Sequence, residues 1–407
     1  MYSNSLLNLI TSELTTLKDA GKYKLERVLE SPQGSTVKVA GQNVLMFASN
    51  NYLGLADNVQ VIEAAKKAMD NYGYGMASVR FISGTTKIHV DLEKKLSEFL
   101  QTEDAILFSS CFAANEAFFA ALVHHADSQK LTSVIYSDEL NHASIIDGLR
   151  LVKKEAVVKR IYPHHDLATL SKMLEEDSAQ NYSVRIIATD GVFSMEGELA
   201  KLPELVELAK KHQALLFVDD SHGVGACGRA GKGSPDELNV LGQIDVLSGT
   251  LGKALGGAAG GYLAGKKELI EFLRQKARPY IFSNTLPPMI AGGSITALEL
   301  LSSQPELLAK LRDNTLYFRQ KIEAAGFKTY GEIHPIVPIH VGEAAVAQKM
   351  SQELLNCGLF VVGLWFPVVA EGQARLRAQI SAAHSRQDLD QAIDILTQVG
   401  RQVGLIK

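Results

Sequence analysis

The chain has 407 residues, of which 46% are hydrophobic and 21% charged, and its formal net charge is −4. This length and apolar content are sufficient for a large core divided over roughly two or three domains. Lysine and arginine are spread along the sequence, which excludes an electrostatic reason to expect nucleic acid or an anionic membrane as a partner.

Cysteine spacing and the N-terminal residues bound the cellular location. Cys111, Cys227 and Cys357 lie far apart, without CxxC spacing, and predict neither a disulfide framework nor a zinc site. Residues 1–7 lack the features of a signal peptide, and no apolar segment approaches the roughly 20 residues of a membrane span. We therefore expect a cytoplasmic protein that does not enter a membrane.

The first hundred residues predict helices separated by a hairpin and a loop. Leucines at helical spacing predict an amphipathic helix to about Leu29, packed on the body of the protein. Residues 36–47 read as a short hairpin. Residues 73–86 are too rich in small residues for a stable helix and predict a loop over a site, and a helix follows over 88–100.

From residue 105 onward, short apolar runs alternate with helical segments. Such alternation predicts an α/β fold with a mostly parallel sheet covered on both faces. From about residue 290 the pattern changes to that of a smaller α+β domain. We predict an N-terminal segment (1–49), a large domain (50–289) and a small C-terminal domain (290–407). After the run at 105–108, the apolar runs are 134–136, 184–188, 215–218, 246–247 and 261–264, and the predicted helices are 144–154, 167–176 and 202–212.

Polar residues follow the apolar runs at the points where strands would end. In parallel sheets, ligands bind beyond the carboxyl ends of the strands. We therefore expect a site at this edge, built from residues 109–111, 137–142, 189–191, 219–222 and 248–250.

One lysine, Lys253, lies in the glycine-rich stretch 248–257. The small neighbours leave room for a planar ligand, and an apolar setting disfavours the charged amine. Such an amine is a candidate for Schiff-base formation. A glycine-rich turn with a solvated lysine is the alternative that this spacing leaves open.

A carboxylate and a histidine lie three residues apart, at Asp219 and His222, directly after the run 215–218. A carboxylate there could keep a heteroaromatic nitrogen protonated, as pyridoxal phosphate requires to act as an electron sink. A solvated turn is the alternative. The nearby lysine favours the first interpretation.

Two further motifs do not predict sites. Residues 223–228 match GxGxxG, but polar residues separate them from the strand and residues 229–235 cannot begin the helix that dinucleotide binding requires. The histidines of the pairs His124-His125 and His164-His165 are adjacent, so we expect their side chains to diverge at the surface and hold no metal.

Taken together, the chain resembles the α-oxoamine synthases, pyridoxal-phosphate enzymes of the aspartate-aminotransferase fold (fold type I) that join an amino acid to an acyl-CoA. The resemblance covers almost the whole chain in family order. It rests on ASNNYLGLAD, GYGMASVRFISGT, LFSSCFAAN, LNHASIIDG, ATDGVFSMEG, VDDSHGVG, SGTLGKALGGA, RPYIFSN and GQARLRAQISAAH.

The resemblance implies roles for the cofactor site. Lys253 would bind pyridoxal 5'-phosphate covalently and move the Cα proton, and Asp219 would pair with the ring nitrogen. His222 would contact the ring oxygen, and His142 would stack on the ring and hydrogen-bond the substrate. The remaining cofactor contacts would come from Cys111 and Phe112 (through backbone N–H), Ser194, Thr250, and Ser283 and Asn284 of the second subunit of a homodimer.

The substrate carboxylate would bind to an arginine. By family position this is Arg377, assisted by Asn50, because the planar guanidinium suits a carboxylate. Arg375 lies two residues away and would point to the same face of a strand, so it is the rival candidate.

Within the family, SVRFISGT, SSCF and ATDGVFSM resemble the glycine-using branch. This implies the reaction 2-amino-3-oxobutanoate + CoA = glycine + acetyl-CoA in threonine breakdown, with an association with threonine dehydrogenase left open. Two departures are Ser83, where that branch carries cysteine, and a longer stretch at 123–133, expected at the surface.

Three alternatives remain at this point. The chain could use another amino acid or a longer acyl-CoA, like an 8-amino-7-oxononanoate synthase or a signal-molecule synthase. It could be a catalytically silent subunit, against which the presence of Lys253 argues. A nicotinamide oxidoreductase is disfavoured because the required helix after Gly228 is missing.

Overall fold

A computed structural model describes residues 3–19 and 22–407. The first part contains α1 (Asn4–Asp19), β1 (Thr36–Val39), β2 (Gln42–Met46), α2 (Val59–Tyr72), α3 (Arg80–Ser83) and α4 (Lys87–Leu100). The central part contains β3 (Asp104–Phe108), α5 (Cys111–Ser128), β4 (Thr132–Asp138), α6 (Ala143–Arg150), β5 (Val157–Tyr162), α7 (Leu167–Glu176), a 3₁₀ turn (Asp177–Ala179), β6 (Tyr182–Asp190), α8 (Leu202–Lys211), β7 (Leu215–Asp219), α9 (Ser234–Glu237), β8 (Val246–Thr250) and β9 (Gly261–Gly265).

The last part is richer in helices. It contains α10 (Lys267–Lys276), α11 (Arg278–Ile281), α12 (Pro288–Ser303), α13 (Pro305–Ala324), β10 (Ile336–Gly342), α14 (Ala344–Asn356), β11 (Leu359–Phe360), β12 (Val362–Leu364), β13 (Ala374–Gln379) and α15 (Arg386–Gln402). Among the described residues, no helix combines the length and hydropathy needed to cross a bilayer.

A seven-stranded sheet in the order β3-β9-β8-β7-β6-β4-β5 forms the centre of the molecule. Only β9 runs antiparallel to its neighbours. In β6, Ile186, Ile187 and Ala188 are all fully buried although successive side chains point to opposite faces, so helices cover the sheet on both sides. The predicted α/β class with a mostly parallel sheet is confirmed.

Strand β5 was not predicted from the sequence. The helix expected over 144–154 ends at Arg150, and residues 157–162 form an edge strand beside β4. Lys159 and Arg160 interrupt its apolar residues and are partly exposed, as one free edge allows. The strand therefore lacks the continuous apolar run that marks the buried strands.

The N-terminal helix differs from the expectation in length and packing. It ends at Asp19, residues 22–28 have no regular structure, and positions 20 and 21 lie outside the described residues. The expectation that it packs on the body is wrong for the described chain, because none of its residues is buried. Leu7, for example, remains 44% exposed.

The predicted hairpin of β1 and β2 is confirmed, and β2 pairs in parallel with β11 from the far end of the chain. The C-terminal strands β10, β12 and β13 form a second sheet in the order β10-β13-β12. Helix α12 packs on α2 and α4, and α13 joins both cores, with Leu311 in the large one and Phe318 in the small one. The proposed boundaries at 49/50 and 289/290 stay a prediction.

His384 fastens the N-terminal strand to the C-terminal domain. Its ring stacks on Phe47 at a centroid distance of 4.1 Å, and its Nε2–H donates to the Met46 carbonyl at 3.0 Å. Nδ1 accepts a hydrogen bond from the Ser381 N–H, so the ring is neutral. Burial lowers the pKa of His384 to about 4.

We expect His384→Gln to weaken the acid sensitivity of folding. The folded pKa lies below the unfolded value of about 6.5, so the stability from neutral His384 is present above pH 6.5 and is lost as pH falls towards 4. The free energy of unfolding of the wild type should therefore drop by about 1.4 kcal/mol more per pH unit than that of the variant. Urea unfolding at several pH values between 7 and 4.5 measures both slopes, and equal slopes would contradict the prediction.

Candidate active site

A cavity of about 210 Å³ lies at the carboxyl edge of the central sheet, where the sequence predicted a site. It is lined by Ser110, Cys111, Phe112, His142, Ser144, Asp190, Val192, Asp219, Ser221, His222, Thr250 and Lys253. Most of the predicted cofactor residues therefore meet in one place. A larger cavity of about 930 Å³ between residues 22–29 and the C-terminal strands contains none of them.

Lys253 follows β8 in a turn and reaches into the cavity. Burial lowers the pKa of its amine, with the nearby Arg377 acting in the same direction and Asp219 in the opposite one. Lowering the pKa increases the fraction of neutral amine, the form that attacks a carbonyl carbon. The solvated-turn interpretation of this lysine does not hold.

Asp219 ends β7 and is almost completely buried. The side-chain amide of Asn115 donates to its Oδ2 at 2.6 Å, and the backbone N–H of Ser221 donates to its Oδ1 at 2.9 Å. Both donors orient the carboxylate and stabilise its charge. Asn115 was not predicted from the sequence as a site residue, although it lies about one helical turn after Cys111 in the stretch LFSSCFAAN.

Asn115 also connects Asp219 to His142. Its amide donates a second hydrogen bond to Ser144 Oγ at 2.8 Å, and Ser144 Oγ lies 2.7 Å from His142 Nδ1. The Ser144 backbone N–H also donates to that Nδ1, which is therefore an acceptor. Burial lowers the pKa of His142, so its ring is neutral and carries its proton on Nε2.

The N-terminus of α5 forms one wall of the cavity. Ser110 caps the helix by accepting the N–H of Ala113 at 3.1 Å. Cys111 and Phe112 occupy the first turn, where an α-helix leaves its N–H groups without internal partners and favours an anion. A Cβ on Gly261 would collide with the Cys111 backbone, so glycine permits the close approach of β9 to this helix end.

His222 is held from two sides by residues not singled out from the sequence. Its Nδ1 lies 2.8 Å from the Tyr52 hydroxyl, and its backbone carbonyl accepts a hydrogen bond from His334 Nε2 at 2.8 Å. Burial lowers the pKa of His222 well below its usual range and that of His334 to about 3. Both rings are neutral.

Asp190 is another cavity residue without a predicted role. Its carboxyl accepts the His142 backbone N–H at 3.2 Å. Burial, reinforced by the charge of Asp219, raises the pKa of Asp190 well above its usual range. The cavity therefore contains two carboxyl groups in different settings. The pKa of Asp190 is raised, which favours its protonated form, whereas Asp219 accepts hydrogen bonds from Asn115 and Ser221.

The two candidate arginines of β13 differ in their partners. Arg375 Nη1 lies 3.3 Å from Glu196 Oε1 and 3.1 Å from the Met195 carbonyl. Arg377 Nη2 donates to Asn50 Oδ1 at 3.3 Å, and its Nε is buried without a hydrogen bond within the described part of the chain. Arg377 thus retains donors for a ligand, and Arg375 is neutralised by a carboxylate.

Three predicted cofactor contacts do not line the cavity of this chain, and neither do the predicted substrate residues Asn50 and Arg377. Ser194 is half-buried in the turn after β6, and Ser283 and Asn284 are exposed after α11. Their roles stay predictions.

The rejected GxGxxG motif has a structural explanation. Residues 223–233 form turns, and the helix that follows, α9, has only four residues. A Cβ on Gly223 or Gly233 would collide with the carboxyl group of Asp220. These glycines make room for a buried acid and not for a dinucleotide.

The stretch 123–133 lies away from the cavity. It comprises the end of α5, a turn and the start of β4. Helix α5 begins at the cavity and has 18 residues, which corresponds to a length of about 27 Å. Residues 124, 125 and 128–132 are exposed, as expected, whereas Val123, Ala126 and Ser133 are buried.

The two histidine pairs behave differently. His124 and His125 are exposed, as expected. The prediction for the other pair is wrong, because the rings of His164 and His165 stack at a centroid distance of 3.8 Å and are half-buried. His165 has a left-handed backbone (φ 58°), which turns the adjacent side chains to the same side.

Comparisons with known proteins agree with this geometry. Residues 42–396 match the family model for aminotransferase class I and II. The chain is 48% identical to 2-amino-3-ketobutyrate coenzyme A ligase of Salmonella typhimurium, over 98% of each chain. It is 44% identical to 8-amino-7-oxononanoate synthase of Thermoanaerobacter pseudethanolicus, again over 98% of each chain.

A solved structure has the same fold. It is described as SPT, serine palmitoyltransferase, with a PLP internal aldimine, and it matches with a TM-score of 0.91 and 28% identity over 100% of both chains. The full-length matches and the arrangement of the cavity lead to one conclusion: the chain belongs to the aminotransferase class I and II family and, within it, to the α-oxoamine synthases.

Proposed function

We propose that this protein is a pyridoxal-phosphate-dependent glycine C-acetyltransferase, which catalyses 2-amino-3-oxobutanoate + CoA = glycine + acetyl-CoA in threonine degradation. The observation that carries the proposal is the meeting of Lys253, Asp219 and the α5 N-terminus in one cavity. The full-length relatives named 2-amino-3-ketobutyrate coenzyme A ligase support the choice of substrates.

The cavity residues fit the cofactor. The free N–H groups of α5, at Cys111 and Phe112, suit a phosphate, and Thr250 lies beside them on the cavity wall. The buried carboxylate of Asp219 suits a protonated ring nitrogen, and the amine of Lys253 suits the aldehyde. When bound, pyridoxal phosphate supplies an electron sink for the negative charge that develops at Cα.

The protein side chains supply the remaining functions. Lys253, whose lowered pKa favours the neutral amine, is positioned to accept the Cα proton and return it. Arg377 and Asn50 would bind the substrate carboxylate, with the guanidinium as a planar double donor. His142 offers its Nε2–H, because Nδ1 is already occupied by Ser144.

Turnover of defined substrates tests the reaction. Purified protein supplied with 2-amino-3-oxobutanoate and CoA should produce glycine and acetyl-CoA. A second candidate, suggested by the relative named 8-amino-7-oxononanoate synthase, would instead use alanine and a longer acyl-CoA. Turnover of that pair without any glycine production would replace the first proposal by the second.

Arg377→Lys should reduce kcat/KM for glycine by roughly tenfold to hundredfold, mainly through a higher KM. This loss of binding free energy is about 1.5–3 kcal/mol, the contribution of a hydrogen bond to a charged group. Arg375→Lys is the matched control, because Arg375 already pairs with Glu196. We expect it to lower the melting temperature and leave KM for glycine near the wild-type value. The reverse pattern in steady-state kinetics would assign the carboxylate to Arg375.

We further propose a homodimer in which Ser283 and Asn284 serve the cavity of the second subunit. Both are exposed in the single chain, and the adjacent Phe282 is 65% exposed. The 73–86 segment lies next to α11, since Arg80 stacks on Tyr280, and it carries a second exposed phenylalanine, Phe81. Apolar surface of this kind indicates a protein interface.

Sedimentation of the holoenzyme should show a dimer at assay concentrations. A mixture of Lys253→Ala and Ser283→Ala/Asn284→Ala chains should regain cofactor affinity at one of the two sites of a mixed dimer. A fully active monomer would contradict the proposal.

A further inference from the structure

A cluster of histidines and carboxylates lies beside the active-site edge, separate from the cavity. His164 and His165 follow β5, and Glu198 lies in the turn after β6. Each of these three residues offers one potential ligand atom, and the three atoms lie within 4.8 Å of one another. His164 Nε2 is 3.5 Å and His165 Nδ1 is 3.8 Å from Glu198 Oε2.

The arrangement around His164 is that of a metal ligand held by a second group. Its Nδ1 lies 3.0 Å from Asp138 Oδ1, so this nitrogen donates its proton to a buried carboxylate. Its Nε2 points toward Glu198, is inaccessible to solvent and makes no hydrogen bond with any described residue. Histidines that bind metals commonly donate the second ring N–H to a carboxylate in this way.

An aromatic ring shields the two histidines from water, and two carboxylates outnumber the one positive charge nearby. The Phe193 ring packs edge-on against both imidazoles, with centroid distances of 4.3 and 5.4 Å. The Lys201 ammonium donates to the His165 carbonyl at 3.1 Å and adds one positive charge nearby. The carboxylates of Asp138 and Glu198 offset the charge of a cation bound at the nitrogen edges of the two rings.

We propose that His164, His165 and Glu198 bind one divalent transition-metal ion of the Zn²⁺ class, with Asp138 as the outer partner of His164. Zinc takes imidazole nitrogen and carboxylate oxygen at about 2.0–2.2 Å in tetrahedral geometry, which requires ligand atoms about 3.4 Å apart. The two distances from Glu198 Oε2, 3.5 and 3.8 Å, exceed this value by about 0.1 and 0.4 Å. Water would occupy the fourth position.

The proposed ion would connect two turns next to the catalytic cavity. One is the turn after β5, and the other is the turn closed by the pairing of Val192 with Leu199. Val192 lines the cavity, so the ion would brace one of its walls. The role is structural and independent of the proposed reaction.

Zinc titration of the tag-free holoenzyme, after dialysis against a chelator, tests the site. We expect one Zn²⁺ per chain and a higher melting temperature with Zn²⁺ than without. His165→Gln and Glu198→Gln should each weaken binding at least tenfold, and Asp138→Asn by about 10- to 100-fold. His124→Gln/His125→Gln and Cys357→Ser are matched controls, because these groups are exposed potential ligands elsewhere. They should bind zinc like the wild type.

Anomalous diffraction at the zinc edge from wild-type crystals gives a readout that does not depend on the folding of any variant. A peak between His164 and Glu198 is expected. No saturable binding at micromolar zinc, undiminished binding in both ligand variants, or a peak only at another position would overturn the proposal. The cluster would then be an imidazolium held between two carboxylates.

Discussion

Lys253→Ala is expected to reduce acetyl transfer by roughly 10²- to 10⁴-fold or more, because it removes the group that we propose moves the Cα proton. The same change removes the amine that would hold pyridoxal phosphate covalently, so the absorbance band of the covalently bound cofactor should disappear. No other lysine lines the described cavity, and we expect no substitute for this function.

Lys232→Ala is the matched control for that variant. Lys232 also lies among glycines, but it contacts the Phe99 ring and does not line the cavity. It should retain activity and absorbance. Borohydride reduction of the wild type, followed by peptide mapping, should place the cofactor adduct on Lys253. An adduct on another residue, or activity in Lys253→Ala, would refute the assignment.

Asp219→Asn should reduce kcat by roughly 10²- to 10³-fold, the size of effect seen when one preorganised electrostatic partner of a reacting group is removed. An amide cannot stabilise a protonated ring nitrogen. It would also place an NH₂ group or an uncharged oxygen opposite the Asn115 amide, which now donates at 2.6 Å. Single-turnover rates of Cα-proton exchange in deuterated buffer measure the step directly.

Asp220→Asn is a control of the same chemical type at the adjacent position. Burial raises the pKa of Asp220 to about 8, so its carboxyl is mostly neutral at pH 7 and resembles an amide. Asp220 contacts Ser234 and does not line the cavity. We expect kcat within about threefold of the wild type, since no electrostatic partner of the reacting group is lost. Equal losses in both variants would show that Asp219 acts through folding.

Several features of the fold and the candidate site could be predicted from the sequence, because each depends on residues that are close together in the chain. Apolar runs of buried strands, the polar residues that follow them and the glycine-rich turn around Lys253 are adjacent in the chain. Parallel strands place their carboxyl ends at one edge, so the position of the cavity could be predicted from the alternation of apolar runs and helices. Cys111, His142, Asp219, His222, Thr250 and Lys253 were found in this way.

Features that depend on contacts between distant segments could not be read in the same way. The Asn115 and Ser144 bridge between Asp219 and His142 joins three separate elements. Tyr52 reaches His222 from 170 residues away. The exposure of α1 and the edge position of β5 likewise depend on what packs against them, and periodicity reports only the amphipathic pattern.

The sequence by itself determined the fold class, the edge of the sheet that carries the site and the residues that end its strands, because these depend on short-range patterns. Only the tertiary structure distinguished the partners of Arg375 and Arg377, since the two share a strand face and differ in whether Glu196 reaches them. It also brought His164 and His165 together, because one left-handed backbone conformation overrides the alternation that adjacent residues normally follow.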